Sequence, residues 1–237
     1  MFHIIPSQHD LLESLPKHAV VAEIGVAEGN TSRRILDICA PRALHLIDAW
    51  RHQPVNDGGL DPNNLDDAAQ ERRFAAVQQR FAAEIAAGQV TLHRVRSQDA
   101  AARFADGQLD WIYVDGSHLY DDVLADLRLY APKLKPDGYI YGDDHVNSPT
   151  YRERMKFGVV EAVRQFLTET GYELVVLTNV GRYLIAKNPK APDHVSLMLD
   201  VLDRARYVQE IRQPMRHDLR YEELVLPSGK AIVYLSV

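Results

Sequence analysis

Two short segments contain side chains that suit acid–base chemistry or cation binding. The segment DGSH (115–118) follows the apolar run LDWIYV, and the segment GDDH (142–145) follows the run YIY. Charged groups at the end of a buried strand are costly unless a partner offsets them. Carboxylates in such places bind a hard cation, pair with an arginine or cap a helix, and a histidine beside them suits a general base.

Strands that alternate with helices must position these groups. Short β-rich runs predict strands at 20–26, 43–50, 89–95, 109–115, 138–143, 172–178 and 182–188. Helical spacing of apolar residues predicts helices at about 27–40, 65–87, 119–134 and 157–169. The alternation predicts a doubly wound α/β fold with a seven-stranded, mostly parallel, Rossmann-like sheet. The last two strands are joined by a tight turn, so we expect the last strand to be antiparallel.

The end of the chain follows a different pattern. We therefore divide the chain into a domain at 1–190 and a C-terminal extension at 191–237. The extension predicts a helix over 192–212 and a hairpin in YEELVLPSGKAIVYLSV, around its Pro-Ser-Gly-Lys turn. It either packs on the domain or mediates a homo-oligomer, and the sequence leaves both open.

Composition argues against several classes of protein. The 237 residues are 46% hydrophobic and 25% charged, as in an ordinary globular protein. A net charge of −6 argues against nucleic acid as a partner. A single cysteine, Cys39, rules out an internal disulfide framework. The sequence has neither a membrane-spanning run nor a signal-peptide pattern, so we expect a cytoplasmic protein without a membrane partner.

The first two predicted strands end in residues that suit a nucleoside. Glu23 and Gly25 end the first strand, and Gly29 follows the turn. The phosphate fingerprint G-x-G-x-x-G is absent, since position 27 is alanine and position 28 is a glutamate that would repel a pyrophosphate. Asp48 ends the next strand, where a carboxylate accepts hydrogen bonds from both hydroxyls of a ribose. A ligand with a ribose and no phosphates, such as S-adenosylmethionine, fits these features.

The chain resembles class I S-adenosylmethionine-dependent methyltransferases in three segments: EIGVAEGNTS (23–32), LIDAW (46–50) and YVDGSHLYDDVLADLRLYAPKLKPDGYIYGDDH (113–145). Within that superfamily it is most similar to the metal-dependent sugar O-methyltransferases of macrolide and aminocoumarin biosynthesis. The resemblance spans about 20–188. Its glycine motif is weakly specific, whereas the Asp-Gly-x-His block followed by an Asp-Asp pair is much more specific.

The resemblance implies how the cofactor would lie. Glu23 and Gly25, with Gly29 nearby, would lie against its methionyl part, and Asp48 would hold its ribose. The segment after the third strand would lie near the adenine. Three residues of that segment are assigned to the cofactor site, with the last as a partner for the exocyclic amine: Ser97, Gln98 and Asp99.

Three carboxylates are predicted to converge at the same edge of the sheet. Asp115 and Asp143 end adjacent strands, which lie about 4.8 Å apart. Asp144 joins them only if the strand ends at or before Asp143, because consecutive side chains of a strand point to opposite faces. Three carboxylates so close need either a proton or a cation, and oxygen ligands favour Mg²⁺, Mn²⁺ or Ca²⁺ over zinc. A helix cap or a salt bridge to Arg152 or Arg154 is the alternative.

The reaction that the resemblance implies is methyl transfer to a hydroxyl of a small molecule. A cation held by Asp115, Asp143 and Asp144 would bind the acceptor oxygens, and Asp115 would also border the cofactor. His118, the proposed base in the similar family, would take the hydroxyl proton, with His145 as a second candidate base or extra ligand. A vicinal diol chelates such a cation, which suits a sugar, a polyol or a catechol.

The sequence leaves three alternatives open. The first is a metal-independent small-molecule methyltransferase. The second is a nucleotide-dependent oxidoreductase, against which the incomplete glycine pattern and Glu28 weigh. The third is a non-catalytic cofactor-binding module, against which the block of carboxylates and histidine weighs. The long polar loop at 51–66 is predicted to be a lid that orders over substrate.

Overall fold

The computed structural model of the chain describes residues 2–5, 11–54, 61–146, 157–206, 208–211, 220–225 and 231–236. Three features of the sequence analysis lie outside these residues. They are the arginines Arg152 and Arg154, residues 55–60 of the predicted lid, and the predicted hairpin turn.

Strands and helices alternate along the chain as expected. The strands are β1 (Phe2–Ile5), β2 (Val20–Ile24), β3 (Ala43–Asp48), β4 (Val90–Arg94), β5 (Leu109–Val114), β6 (Leu134–Gly142), β7 (Glu173–Thr178), β8 (Tyr183–Ala186), β9 (Gln209–Ile211), β10 (Arg220–Val225) and β11 (Ala231–Ser236). The helices are α1 (Asn30–Cys39), α2 (Asp67–Arg80), α3 (Ala82–Ala86), α4 (Ser97–Ala100), α5 (Tyr120–Tyr130), α6 (Val159–Glu169) and α7 (Pro192–Arg204).

The seven predicted strands form one sheet, which confirms the doubly wound α/β fold class. The described strands pair in the order β4-β3-β2-β5-β6-β8-β7-β1-β9. Strands β2 to β6 pair in parallel, and β8 is antiparallel to both β6 and β7. The sheet therefore has two more strands than the sequence analysis predicted. Both β1 and β9 are very short, and β1 pairs with a strand more than 170 residues away, so local pattern gave little sign of them.

The core lies on both faces of the sheet. Neighbouring residues of β5 show this, because Trp111 packs in the cluster with α1 and α2 while Ile112 packs in the cluster with α5 and α6. All five residues of β2 are buried, including Glu23. A strand that is buried on both faces has only its carboxyl end available to a ligand.

The extension begins with a helix that packs on the domain. Leu197 and Val201 of α7 belong to a core cluster of the domain, and Arg204 Nη1 lies 2.9 Å from Glu13 Oε2. The helix predicted over 192–212 ends at Arg204, because the backbone turns extended at Ala205 and residues 209–211 pair with β1 instead. Strands β10 and β11 pair antiparallel, which confirms the predicted hairpin.

The domain boundary at 190/191, a homo-oligomer and the cytoplasmic location stay predictions. Among the described helices, none has both the length and the apolar character that a bilayer crossing requires.

Candidate functional site

A cleft of about 370 Å³ opens at the carboxyl ends of β2, β3 and β5. Its floor is the edge of the sheet, and the start of α2 with the residues before it forms one wall. The predicted site residues that line the cleft are Glu23, Gly25, Asp48, Ser97, Gln98, Asp115 and His118. The predicted residues that are not part of its lining are Gly29, Asp99, Asp143, Asp144 and His145.

The turn after β2 is held in place by the Asp48 carboxylate. Its Oδ2 accepts hydrogen bonds from the backbone N–H groups of Val26 and Ala27, both at 3.0 Å. Its Oδ1 accepts from the backbone N–H of Trp50 at 2.7 Å. A carboxylate offers about four lone-pair sites, so Asp48 retains capacity for a ligand while it fixes the turn.

The two glycines of this turn are required by close packing. Gly25 has a φ of +85°, and a Cβ on it would collide with the carbonyl oxygen of Asp115 at the end of β5. Gly29 has a φ of +73° at the start of α1, and a Cβ on it would lie 2.6 Å from the Phe81 ring. Gly25 borders the cleft, whereas contact between Gly29 and a cofactor stays a prediction.

Glu23 is a buried carboxyl without an ion-pair partner among the described residues. Its side chain is 1% exposed, and its Oε2 has no hydrogen-bond partner among the described residues. Burial raises the pKa of Glu23 to about 8, although the Ser32 hydroxyl favours the ionised form. The carboxylates of Asp115 and Asp48 add to this rise. A cationic ligand group in the cleft would restore the ionised form.

Asp126 is a second buried carboxyl of the cleft, and sequence reasoning missed it. It lies on α5, lines the cleft and is 2% exposed, whereas the predicted Asp99 is exposed and outside the lining. Burial raises the pKa of Asp126 to about 7, and its Oδ1 has no partner among the described residues. The signal was present in the sequence, because position 126 adjoins the apolar stripe of Val123, Leu127 and Tyr130.

An acidic cluster of Asp115, His118 and Asp144 lies at the carboxyl ends of β5 and β6. One candidate ligand atom from each lies within 4.8 Å of the others, and His118 Nε2 is 2.9 Å from Asp144 Oδ2. Strand β6 ends at Gly142, and Asp144 takes a left-handed φ of +59°. The condition that the strand end at or before Asp143 is therefore met.

Asp143 is bound to groups of the chain itself. Its Oδ2 accepts a hydrogen bond at 3.2 Å from Nε of Arg182, the residue directly before β8. Its Oδ1 accepts one at 2.9 Å from the backbone N–H of Asp144. The Tyr113 hydroxyl lies 3.0 Å from Asp143 Oδ2 and 3.1 Å from Asp115 Oδ2, and donates to one of them at a time. Asp143 thus has an arginine partner, Arg182, that the sequence analysis did not name. A salt bridge to Arg152 or Arg154, which lie outside the described residues, and the metal role of Asp143 both stay predictions.

The charges of this cluster act strongly on one another. Burial raises the pKa of Asp115 to about 8, and the charges of Asp143 and Asp144 add to the rise. Burial alone would lower the pKa of His118. The hydrogen bond to Asp144 and the nearby charges, including Asp61, outweigh burial and raise that pKa above its usual value.

His145 lies apart from this cluster. It is fully buried, its backbone N–H donates to the Gly181 carbonyl at 2.8 Å, and its ring centroid is 5.7 Å from that of Tyr183. Burial lowers the pKa of His145 to about 4. Its predicted role as a base or ligand therefore remains a prediction without support from its position.

The described parts of the predicted lid border the cleft. Gln53 and Asn64 join the two ends of the segment through a pair of hydrogen bonds, each 2.8 Å long. Arg73 of α2 pairs with Glu28 and donates to the Asn63 carbonyl, and all of these residues line the cleft. Closure of 51–66 over a substrate stays a prediction.

Comparisons with known proteins fit this arrangement. A family model described as a methyltransferase domain matches residues 22–145. A search among curated proteins found no significant match.

Three solved structures share the fold. The first is a protein from Staphylococcus aureus described as a candidate caffeoyl-CoA O-methyltransferase, with 19% identity, a TM-score of 0.51, and coverage of 71% of this chain and 75% of that one. The second is a protein from Corynebacterium glutamicum, with 16% identity, a TM-score of 0.54 and coverage of 77% and 81%. The third is a candidate rRNA-methylase from Clostridium thermocellum, with 13% identity, a TM-score of 0.50 and coverage of 76% and 91%.

Proposed function

The chain belongs to this family of methyltransferase domains and is an S-adenosylmethionine-dependent methyltransferase, and we propose that it methylates a hydroxyl of a small molecule with the help of a divalent cation. The observation that carries the proposal is the group of Asp115, His118 and Asp144, whose candidate ligand atoms lie within 4.8 Å of one another. Two of the three line the cleft, so the group would face the methyl donor bound there.

Three parts of the cleft suit three parts of the cofactor. The unpartnered Oε2 of Glu23 suits the ammonium of the methionyl part, because a buried carboxylate needs a counter-charge. The one remaining lone pair of Asp48, on Oδ1, suits a ribose hydroxyl. Ser97 and Gln98 would then border the adenine, as the sequence resemblance implies.

The donor set of the acidic cluster fits a hard divalent cation. Asp115 and Asp144 would hold it, and the pKa of about 8 for Asp115 results from its burial and from the nearby charges of Asp143 and Asp144. A bound cation would supply Lewis-acid chemistry, since it would lower the pKa of an acceptor hydroxyl. A vicinal diol offers two oxygens to such a cation, which favours a sugar, a polyol or a catechol as the acceptor.

His118 is the residue to which we assign removal of the hydroxyl proton. Its ring is held by the hydrogen bond to Asp144 and by stacking on Phe157, with a centroid distance of 4.4 Å. As His118 takes the proton, the acceptor oxygen attacks the methyl carbon in line and the carbon–sulfur bond breaks. The products are a methyl ether and S-adenosylhomocysteine, and the proton passes from His118 to solvent.

The test is an assay of S-adenosylhomocysteine formation with a panel of catechols, sugars and polyols. We expect turnover that depends on the acceptor and on Mg²⁺, is lost with EDTA and returns with excess Mg²⁺. Calorimetry with S-adenosylhomocysteine, run in parallel, measures cofactor binding separately. Methylation of nitrogen or carbon acceptors alone would contradict the hydroxyl assignment.

A metal-independent methyltransferase is the second candidate. The specific observation in its favour is the 2.9 Å contact between His118 Nε2 and Asp144 Oδ2, which is the arrangement of a histidine base oriented by a carboxylate. The pairing of Asp143 with Arg182 also neutralises one carboxylate without a cation. Turnover that is unchanged by EDTA would favour this candidate.

A further inference from the structure

Tyr183 is a fully buried tyrosine whose hydroxyl the proposed chemistry does not use. It lies on β8 directly opposite Gly142, the last residue of β6. A Cβ on Gly142 would collide with the Tyr183 ring, so the glycine allows the ring to cross the end of β6. The Tyr183 hydroxyl has no hydrogen-bond partner among the described residues. A buried hydroxyl without a partner is costly, so its presence here suggests a partner from outside the chain.

Tyr183 borders a small cavity next to the acidic cluster. The cavity measures about 10 Å³, close to the smallest volume that holds one water molecule. All three members of the acidic cluster line it, whereas only two of them line the cleft. Its other lining residues are Val114, Ser117, Val123, Asp143 and Val159. The cavity therefore brings an unpaired hydroxyl together with the carboxylates that are proposed to hold the cation.

The carboxylates of the acidic cluster have oxygens available to a water molecule. The Tyr113 hydroxyl contacts Oδ2 of Asp115, and His118 contacts Oδ2 of Asp144. In the described part of the chain, Oδ1 of each of these two carboxylates accepts no hydrogen bond. Tyr183 lies close enough to feel their charges, because Asp115 and Asp144 add to the rise in its pKa that burial causes. The Tyr183 hydroxyl therefore keeps its proton and is a donor.

We propose that this cavity binds one water molecule, which accepts a hydrogen bond from the Tyr183 hydroxyl and donates to the carboxylates of Asp115 and Asp144. A buried water typically makes about three hydrogen bonds to polar groups that otherwise lack partners, as this one does. Tyr183 acts on the two carboxylates through the water and is a positioning residue of the acidic cluster. The inference rests on the proposed function only in that these carboxylates hold the cation.

The water orients the carboxylates without competing for all of their oxygens. A carboxylate offers about four lone-pair sites, so Asp115 and Asp144 each bind the water and retain sites for a cation. Groups that hydrogen-bond to metal ligands fix the orientation of those ligands and raise the affinity for the metal. Loss of the Tyr183 hydroxyl should therefore weaken cation binding although Tyr183 does not touch the cation.

The direct test is a high-resolution crystal structure of the wild-type protein with S-adenosylhomocysteine. We expect one ordered water within hydrogen-bond distance of Tyr183 Oη and of the carboxylates of Asp115 and Asp144. A dry cavity, or a Tyr183 hydroxyl that bonds directly to a group of the chain, would overturn the proposal.

The variant Tyr183→Phe tests the same water through stability. If the hydroxyl binds a water, its removal costs a hydrogen bond and should lower the unfolding temperature by about 2–4 °C. If the hydroxyl has no partner at all, phenylalanine should be as stable as tyrosine or more stable, because no unpaired polar group is then buried. An unfolding temperature equal to or above that of the wild type would contradict the proposal.

The positioning role is tested by the affinity for Mn²⁺, measured by calorimetry in the presence of S-adenosylhomocysteine. We expect Tyr183→Phe to bind Mn²⁺ about 10-fold more weakly than the wild type. The matched control is Tyr139→Phe, which also removes a buried hydroxyl without a described partner, from a tyrosine that lines neither the cleft nor the cavity. The control should keep the wild-type affinity. An equal loss of affinity in both variants would overturn the positioning role.

The two proposals fail in different ways. A wild-type protein that binds no Mn²⁺ would overturn the cation assignment and the positioning role of Tyr183 with it. A wild-type protein that binds Mn²⁺ no more tightly than Tyr183→Phe does would overturn the role of Tyr183 alone.

Discussion

The two ends of the candidate site differ in how their carboxylates are partnered. At the acidic end, Asp143 is paired with Arg182 and Asp144 with His118, so the chain itself supplies the partners. At the cofactor end, Glu23 and Asp126 each keep a buried oxygen without a partner among the described residues. Buried carboxyls that a chain leaves unpaired indicate where a ligand binds, whereas paired carboxyls are held in place for chemistry or for stability.

The largest effect is expected at the acidic end, from His118→Ala. Removal of a general base lowers kcat by about 10²- to 10⁴-fold. The affinity for S-adenosylhomocysteine should change by less than about threefold, because the variant leaves the residues of the cofactor end in place. Steady-state kinetics and calorimetry measure the two quantities. Full turnover in the variant would show that another group takes the proton.

The second effect separates the two adjacent aspartates. We expect Asp144→Asn to lower kcat by roughly 10²-fold and to reduce the response to Mg²⁺, because it removes a ligand and the partner of His118. The Mg²⁺ dependence of turnover measures this directly.

The matched variant Asp143→Asn should act mainly on stability. It leaves the partly buried Arg182 without its charged partner, at a cost of about 1–2 kcal/mol, between the values for exposed and buried ion pairs. Denaturant unfolding measures the loss. If Asp143→Asn abolished the Mg²⁺ response while Asp144→Asn retained it, the roles of the two aspartates would be exchanged.

The third effect belongs to the cofactor end. Glu23→Gln should weaken the binding of S-adenosylmethionine by about 10- to 100-fold, because it removes the counter-charge for the ammonium. The folded protein should be no less stable, since a neutral amide replaces a carboxyl that is costly to bury. Calorimetry and thermal unfolding give the two values. Unchanged affinity would mean that Glu23 is a structural residue.

The smallest effect is the dependence of stability on pH without ligand. Burial raises the pKa of Glu23 to about 8 in the folded protein, from 4.5 for a solvent-exposed glutamate, so the folded state binds the proton more tightly than the unfolded state. Its contribution to stability is complete below about pH 4.5 and is lost as pH rises through about 8. The thermal unfolding temperature of the wild type should therefore fall more steeply between about pH 4.5 and 8 than that of Glu23→Gln. Parallel curves would exclude this contribution from Glu23.

Site residues that depend on interactions between residues close in sequence were predicted better than those that depend on packing between distant elements. The carboxyl ends of the strands were predicted from short apolar runs, and they bring Glu23, Asp48, Asp115 and His118 to one cleft as expected. The sequence did not show which of two acidic residues, Asp99 or Asp126, is the buried one. Asp99 on the short helix α4 is exposed, whereas Asp126 on α5 is buried. The apolar stripe of α5 indicates that Asp126 lies on the buried face of the helix, but whether that face reaches the cleft depends on how α5 packs beside α4.

The sequence by itself determined the α/β class, the order of the seven central strands along the chain and the positions at which polar residues follow them. These features depend on hydrophobic periodicity and on turn residues, which act over a few residues. The tertiary structure decided which carboxylates have partners. Arg182 reaches Asp143 only because β8 pairs antiparallel with β6, and Asp144 turns toward His118 only because its backbone is left-handed. Pairing between strands some 40 residues apart, and the backbone conformation that it imposes, arise from the packed sheet as a whole.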